Sequence, residues 1–223
     1  MLGASATFTP AIDVPWSFKL IQRFLLLSAF ALFSSIIEDA PKSFAATNDP
    51  ASFVSDLASR ALAPMPNGDT APARQERFRQ LLRQYFDVEA CARSALGPHW
   101  PKATAQQRQE FVGLYEDYVV IAYSTGLRGL GGESFKVLGS QSSEEKVVVI
   151  SNFQINGAAP VRVDWQLNPT KDGYKVIDLI INGISMATTQ RSDLVSVIQR
   201  NNGRVPALLI ALREKNASNG ILR

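Results

Sequence analysis

The sequence predicts an α+β fold, and three observations carry that prediction. Apolar residues recur at helical spacing through the first half of the chain. They alternate with period two from about residue 135 to residue 181, then return to helical spacing after Gly183. Short turn signals separate the alternating runs, so neighbouring strands run antiparallel.

Each element has its own signature. Phe53, Val54, Leu57, Ala61 and Leu62 form a helical stripe that stops at Pro64-Met65-Pro66-Asn67-Gly68. From about Arg74, a second stripe carries Phe78, Leu81, Leu82 and Tyr85. Asp87 reads as the N-cap of a short helix that ends near Leu96, with Gly97-Pro98 as the stop. Thr104-Ala105-Gln106-Gln107 is a capping box with Gln107 at N3. The helix it opens carries Phe111, Leu114, Tyr115, Tyr118 and Ala122. Gly126, Gly129, Gly131 and Gly132 close that helix; because they follow it, they cannot aim a helix N-terminus at phosphate.

The second half changes period. A short strand over 135–139 precedes a longer one over 145–155, with Val147, Val149, Phe153 and Ile155 at odd positions. Over 161–167, Val161, Val163, Trp165 and Leu167 alternate with Arg162, Asp164 and Gln166. Residues 174–181 form a strand that is apolar on both faces. Asn156-Gly157 and Lys171-Asp172-Gly173 supply the turns. Beyond Asn182-Gly183, two closing helices carry Leu194, Val195 and Ile198, then Val205, Leu208, Leu209 and Leu212, with a break at Asn202-Gly203. The expected architecture is a four-stranded meander between helices.

The N-terminus reads as an export signal. Residues 24–37 are apolar apart from Ser28, Ser34 and Ser35, with Lys19 and Arg23 just before them. Fourteen residues rise only about 21 Å as a helix, too short for a hydrocarbon core of about 30 Å. Ser43 and Ala45 place small residues at −3 and −1, which puts cleavage after Ala45. A short anchor or a buried core helix is the competing reading of the same run. Residues 1–45 are thus expected to be a cleaved signal peptide, and 46–223 a single domain exported to the periplasm. Lys19, Arg23 and Lys42 balance Asp13, Glu38 and Asp39 in the removed part, so the net charge of +3 persists in the mature chain. That charge is too mild to argue for nucleic acid. No second apolar run approaches spanning length, so the mature domain should be soluble. Cys91 is the only cysteine, which excludes an internal disulfide and leaves the core to hold the exported domain.

Catalytic constellations are mostly absent. His99 is the only histidine, so zinc sites built on paired histidines are excluded. No G-x-S-x-G elbow accompanies it. Neighbouring carboxylates such as Glu116/Asp117 and Glu144/Glu145 read as solvated charges. What remains is a surplus of apolar and aromatic side chains, consistent either with an ordinary core or with a cleft that holds an apolar ligand.

Two stretches add a resemblance. One runs from Phe86-Asp87-Val88 through Ala95-Leu96-Gly97-Pro98-His99-Trp100 to Ala103-Thr104-x-x-Gln107-Arg108-x-x-Phe111. The other joins Val163-Asp164-Trp165-x-Leu167, Tyr174-Lys175-Val176-Ile177-Asp178-Leu179 and Gly183-Ile184-Ser185-Met186 with Arg191-Ser192. In order and spacing they resemble the MlaC family of periplasmic phospholipid-binding proteins, also called the toluene-tolerance family, over about residues 50 to 213. The resemblance implies helices on a curved antiparallel sheet, somewhat NTF2-like, around a deep apolar cavity for acyl chains. It implies a lipid carrier, not an enzyme, with no cofactor and no metal. Its implied partners are phospholipid, an outer-membrane lipoprotein–porin complex, and an inner-membrane ABC transporter with an MCE-domain subunit.

Two departures stand out. Tyr174 occupies a place where the family often has Trp, and Thr188-Thr189-Gln190 replaces the usual polar-aromatic step before Arg191. They leave open the general phospholipid branch and a related hopanoid-associated branch. An enzyme with an NTF2-like hydrophobic pocket, with Asp178 as its acid–base group, and a structural adaptor for envelope proteins, with a filled core, are the remaining alternatives. For the cavity lining, Tyr118, Val149, Phe153, Val163, Trp165 and Ile184 are the expected residues, against plain core packing as the other reading. Arg162 and Arg191 are expected at the mouth, facing lipid phosphate, with an Arg191–Asp178 ion pair as the competing role.

Overall fold

The structure is a computed structural model that describes residues 49–64, 70–127, 134–143, 146–154 and 159–219. The export signal with its cleavage point at Ala45, the Asn156-Gly157 turn and the glycines 129, 131 and 132 lie outside the described residues.

Helix α1 (Pro50–Leu62) starts where Asp49 accepts hydrogen bonds from the N–H groups of Ala51 and Ser52, with Pro50 in the first turn. Helix α2 (Ala71–Tyr85) is capped by Thr70 and buries Leu81, Leu82 and Tyr85. Helix α3 (Val88–Leu96) begins at Asp87, whose carboxylate accepts from the Ala90 N–H at 2.9 Å. Helix α4 (Ala105–Tyr123) has the complete capping box of Thr104 and Gln107 that its sequence predicts. Short 3₁₀ turns follow α3 and α4.

The strands are β1 (Ser134–Ser142), β2 (Val147–Gln154), β3 (Val161–Thr170), β4 (Gly173–Ile181) and β5 (Ile184–Ser185), paired in that order and antiparallel throughout. The expected meander of four strands gains a fifth of two residues. Asn182 (φ 48°) and Gly183 (φ 84°) make a tight hairpin turn with positive φ at both positions, so Ile184 pairs back onto Ile181. Register shifts at Val137/Gly139 and at Gln166/Leu167 bend the sheet. Helices α5 (Met186–Arg200) and α6 (Val205–Ser218) complete the chain.

The buried side chains divide into two cores. One lies among the helices and includes Leu96, Phe111, Val120, Ile198 and Leu212. The other joins α1 and α2 to the sheet through Val54, Leu57, Leu81, Tyr85, Val149, Val163 and Trp165. In β2 and β3 the residues of this second core are the odd-numbered ones, as period-two alternation requires, while β4 contributes the even-numbered Val176, which pairs with Leu167 beyond the register shift.

Gly97 couples the helical layers closely. It has φ of +54°, and a Cβ there would stand 2.9 Å from the Arg191 side chain of α5. That guanidinium donates to the Ser94 carbonyl at 2.7 Å and to the Ser94 hydroxyl at 3.0 Å. A Gly97→Ala variant therefore meets both backbone strain and a close contact, and is expected to lose about 1–3 kcal/mol. A lower urea midpoint at unchanged slope is the measurement that checks it.

Candidate functional site

The two cores do not merge. Between them lies a cavity of about 290 Å³, near the lower end of the roughly 300–1,000 Å³ range of ligand pockets. Helix α1 contributes Leu57, Ala58 and Ala61, and α2 contributes Phe78, Leu81 and Leu82. Tyr115, Val119 and Tyr123 come from α4, at i, i+4 and i+8 of one helical face. The sheet supplies Phe153, Trp165, Ile177, Leu179 and Ile181, while Met186, Ala187 and Gln190 come from the start of α5.

The aromatic floor is held rigidly. Phe135 packs on Phe153 with ring centroids 4.8 Å apart and meets Trp165 edge-on at 6.3 Å. The Trp165 indole N–H donates to the Ser151 hydroxyl at 2.8 Å, which donates in turn to the Val163 carbonyl at 3.0 Å. Ser151 is fully buried, so Ser151→Ala strands the indole N–H away from water. That variant is expected to lose about 1–3 kcal/mol, read by chemical denaturation.

Polar groups at the wall are few and mostly engaged. Burial pushes the Cys91 thiol up to about 12, helped by Asp87 and Asp178, so it stays protonated and inert at neutral pH. The Asp178 carboxylate accepts from the N–H groups of Leu179 (2.8 Å) and Ala187 (2.9 Å) and from the Ser185 hydroxyl (2.6 Å). It holds the β4–β5 hairpin onto the start of α5, and these bonds account for its place in an apolar strand. Tyr115 donates to the Gln190 carbonyl oxygen at 2.5 Å, and the Gln190 amide donates to the Tyr123 hydroxyl at 3.2 Å. Burial raises both phenols, Tyr123 to about 12 and Tyr115 well above its ordinary value. Among the described residues, no group of His, Cys, Asp or Glu is arranged to hold a metal ion. His99 is buried in the 3₁₀ turn after α3 and is not part of the wall.

The structure distributes the sequence-predicted residues unevenly. Phe153 and Trp165 stand on the cavity wall. Val149 and Val163 are buried in the sheet core, and Tyr118 is buried in the helical core, where the Lys215 ammonium lies 5.8 Å from its ring. These three sit behind the wall and not on it. Ile184 is 58% exposed because the hairpin turn carries it away from the cavity. Arg162 reaches along its own strand to Asp164 at 2.8 Å. Arg191 bonds to Ser94 in place of the expected Asp178, whose oxygens are already occupied. Sequence reasoning missed Gln190 as a wall residue, although the run Thr188-Thr189-Gln190 stood out. It also missed Ala58 and Ala61, whose small side chains make room.

Known proteins share this fold. The solved phospholipid-binding protein from Ralstonia solanacearum, in complex with a phospholipid, superimposes with a TM-score of 0.66 at 23% identity. That match covers 78% of this chain and 99% of the other. At that identity the likeness shows the fold. The intermembrane phospholipid transport system binding protein MlaC of Haemophilus influenzae is 22% identical over 129 residues, 53% of this chain and 58% of that protein. The chain thus spans somewhat more than half the length of that relative. The model of the family described as MlaC protein matches residues 55–214, most of the chain, and the chain therefore belongs to the MlaC family.

Proposed function

We propose that this protein is a lipid carrier that shields phospholipid acyl chains in the cavity between its two cores. The observation that carries this reading is the predominantly apolar cavity wall, built jointly by α1, α2, α4, α5 and the sheet. Each methylene exposed to water costs about 0.8 kcal/mol, so two long acyl chains represent roughly 20 kcal/mol. A lipid cannot cross an aqueous compartment at a useful rate without such a shield. Shielding needs shape and apolar surface; it needs no nucleophile or acid–base pair. Asp178, the group an enzyme would use, is committed to three hydrogen bonds that hold α5 in place.

The names of the similar proteins, a phospholipid-binding protein and a component of intermembrane phospholipid transport, support the same ligand class. The compartment is the periplasm, reached through the export signal in residues 1–45, with 46–223 as the working domain. No helix among the described residues is long and apolar enough to cross a membrane. Cargo passes between an outer-membrane lipoprotein–porin complex and an inner-membrane ABC transporter with an MCE-domain subunit. A cavity of about 290 Å³ is small for two long chains, so loading requires it to widen.

Native mass spectrometry of the protein purified from its own periplasm tests the reading. A stoichiometric adduct with phospholipid mass is expected. Protein that is uniformly empty, and that stays empty after incubation with phospholipid vesicles, would sink it.

A further inference from the structure

The cavity wall departs from hydrocarbon most clearly at Gln190. This side chain belongs to a residue only 6% exposed, near the start of α5, and its carboxamide sits between two phenols. Tyr115 donates to the amide oxygen at 2.5 Å, and one amide N–H goes to the Tyr123 hydroxyl at 3.2 Å. An amide carries two N–H groups. The second has no acceptor among the described residues. Turning the amide over exchanges the roles of the two phenols and still leaves one N–H to spare. Other wall donors are engaged: the Trp165 indole N–H by Ser151, and the Cys91 thiol by the carbonyl of Ile177 at 3.4 Å.

A long hydrocarbon chain offers this N–H nothing, and a buried donor without a partner is unfavourable. A phospholipid acyl chain, however, begins at an ester, whose carbonyl is a strong acceptor. We propose that Gln190, held between Tyr115 and Tyr123, is a specificity-determining residue of the cavity that donates its remaining N–H to the ester carbonyl of a bound acyl chain. The phenols are the positioning residues. They fix the amide from both sides, so the donor is aimed before the lipid arrives. Ether-linked chains of the same length fill the same space but lack the carbonyl, and are discriminated against on that ground alone. This inference rests on the carrier reading.

The test is a competition. The mature protein, stripped of lipid, is equilibrated with vesicles holding equal amounts of diacyl and dialkyl phosphatidylglycerol with identical chain lengths. Bound lipid is then counted by native mass spectrometry. One ordinary hydrogen bond corresponds to a preference of about five-fold for the diacyl lipid in the unmodified protein. Gln190→Leu is expected to bring the ratio to about one while still taking up both lipids. Tyr115→Phe keeps the cavity's shape and frees the amide to turn, so it should lower the ratio to about two-fold and serves if the first variant does not fold. A purely structural Gln190 would weaken both lipids alike and leave the ratio unmoved. Equal uptake by the unmodified protein, or an undiminished preference in the variants, overturns the assignment and leaves the carrier reading standing. Uptake of neither lipid overturns both.

Discussion

An Ala61→Trp variant is expected to fold normally and to lose its lipid by at least about a hundred-fold. Ala61 lines the cavity from α1, one turn beyond Leu57 and Ala58 on the same helical face, and is only half-buried. The indole can therefore enter the open space without prying apart a packed core, which keeps the usual overpacking penalty small. Once there, it occupies volume that acyl chains would fill. Excluding four or five methylenes at about 0.8 kcal/mol each removes roughly 3–4 kcal/mol of binding, a factor of several hundred. Lipid per protein by native mass spectrometry is the readout, with thermal melting to confirm the fold. Ala63→Trp, at an exposed position just past the end of α1, is the matched control and should retain its lipid. A folded Ala61→Trp protein with full lipid occupancy would mean that the chains lie elsewhere.

How far the site was legible in the sequence depends on what periodicity encodes. Alternation in β2 and β3 selected the correct face, and Phe153 and Trp165 do stand on the wall. Parity carries no information about depth, however. Val149 and Val163 share that face yet are buried in the same core as Val54 and Leu57 of α1 and Leu81 and Tyr85 of α2. In α4 the apolar stripe read from Phe111, Tyr115 and Tyr118 is real, but the helix buries more than one side. The cavity takes the neighbouring line of Tyr115, Val119 and Tyr123, centred about 100° round from Tyr118.

Ile184 was misplaced for a different reason. Asn182-Gly183 signals a break in the chain, and only the structure shows that the break is a tight hairpin that turns Ile184 outward. Asp178 and Arg191 each needed a partner on sequence grounds, but residue type alone cannot pair them. Asp178 is satisfied within seven to nine residues along the chain, at Ser185 and Ala187, and Arg191 across the layers at Ser94. Gln190 was invisible because a glutamine in an amphipathic helix ordinarily faces water. The helices, the order of the strands and the capping box were readable because each depends on local spacing.

Arg79→Met is expected to remove about 3–5 kcal/mol of stability at neutral pH, and the deficit should shrink in acid. Arg79 on α2 reaches Glu116 at 2.6 Å and Asp117 at 2.8 Å on α4, with Arg83 adding a contact to Glu116 at 2.8 Å. These carboxylates are not the solvated charges their adjacency suggests: the Glu116 side chain is 11% exposed and that of Asp117 only 2%. Methionine keeps most of the aliphatic stem but leaves two buried carboxylates without their shared cation. Burial by itself would push the Glu116 carboxyl up, yet the hydrogen bonds from Arg83 and Arg79 outweigh it and hold the group below its ordinary 4.5. Because the folded value is the lower one, the unfolded chain binds more protons in that range. The contribution is fully present above pH 4.5 and is lost as pH falls through the folded value. The gap between the variant and the unmodified protein should therefore narrow as pH falls below 4.5, which urea midpoints from pH 7 to pH 3.5 would reveal. The same clamp backs a cavity wall, since Phe78, Leu81 and Leu82 lie on α2 beside Arg79. Releasing it should also speed lipid loss from the loaded protein. A deficit that stayed constant across the acid range would mean that the stem of Arg79, and not its charge, fixes α2 against α4.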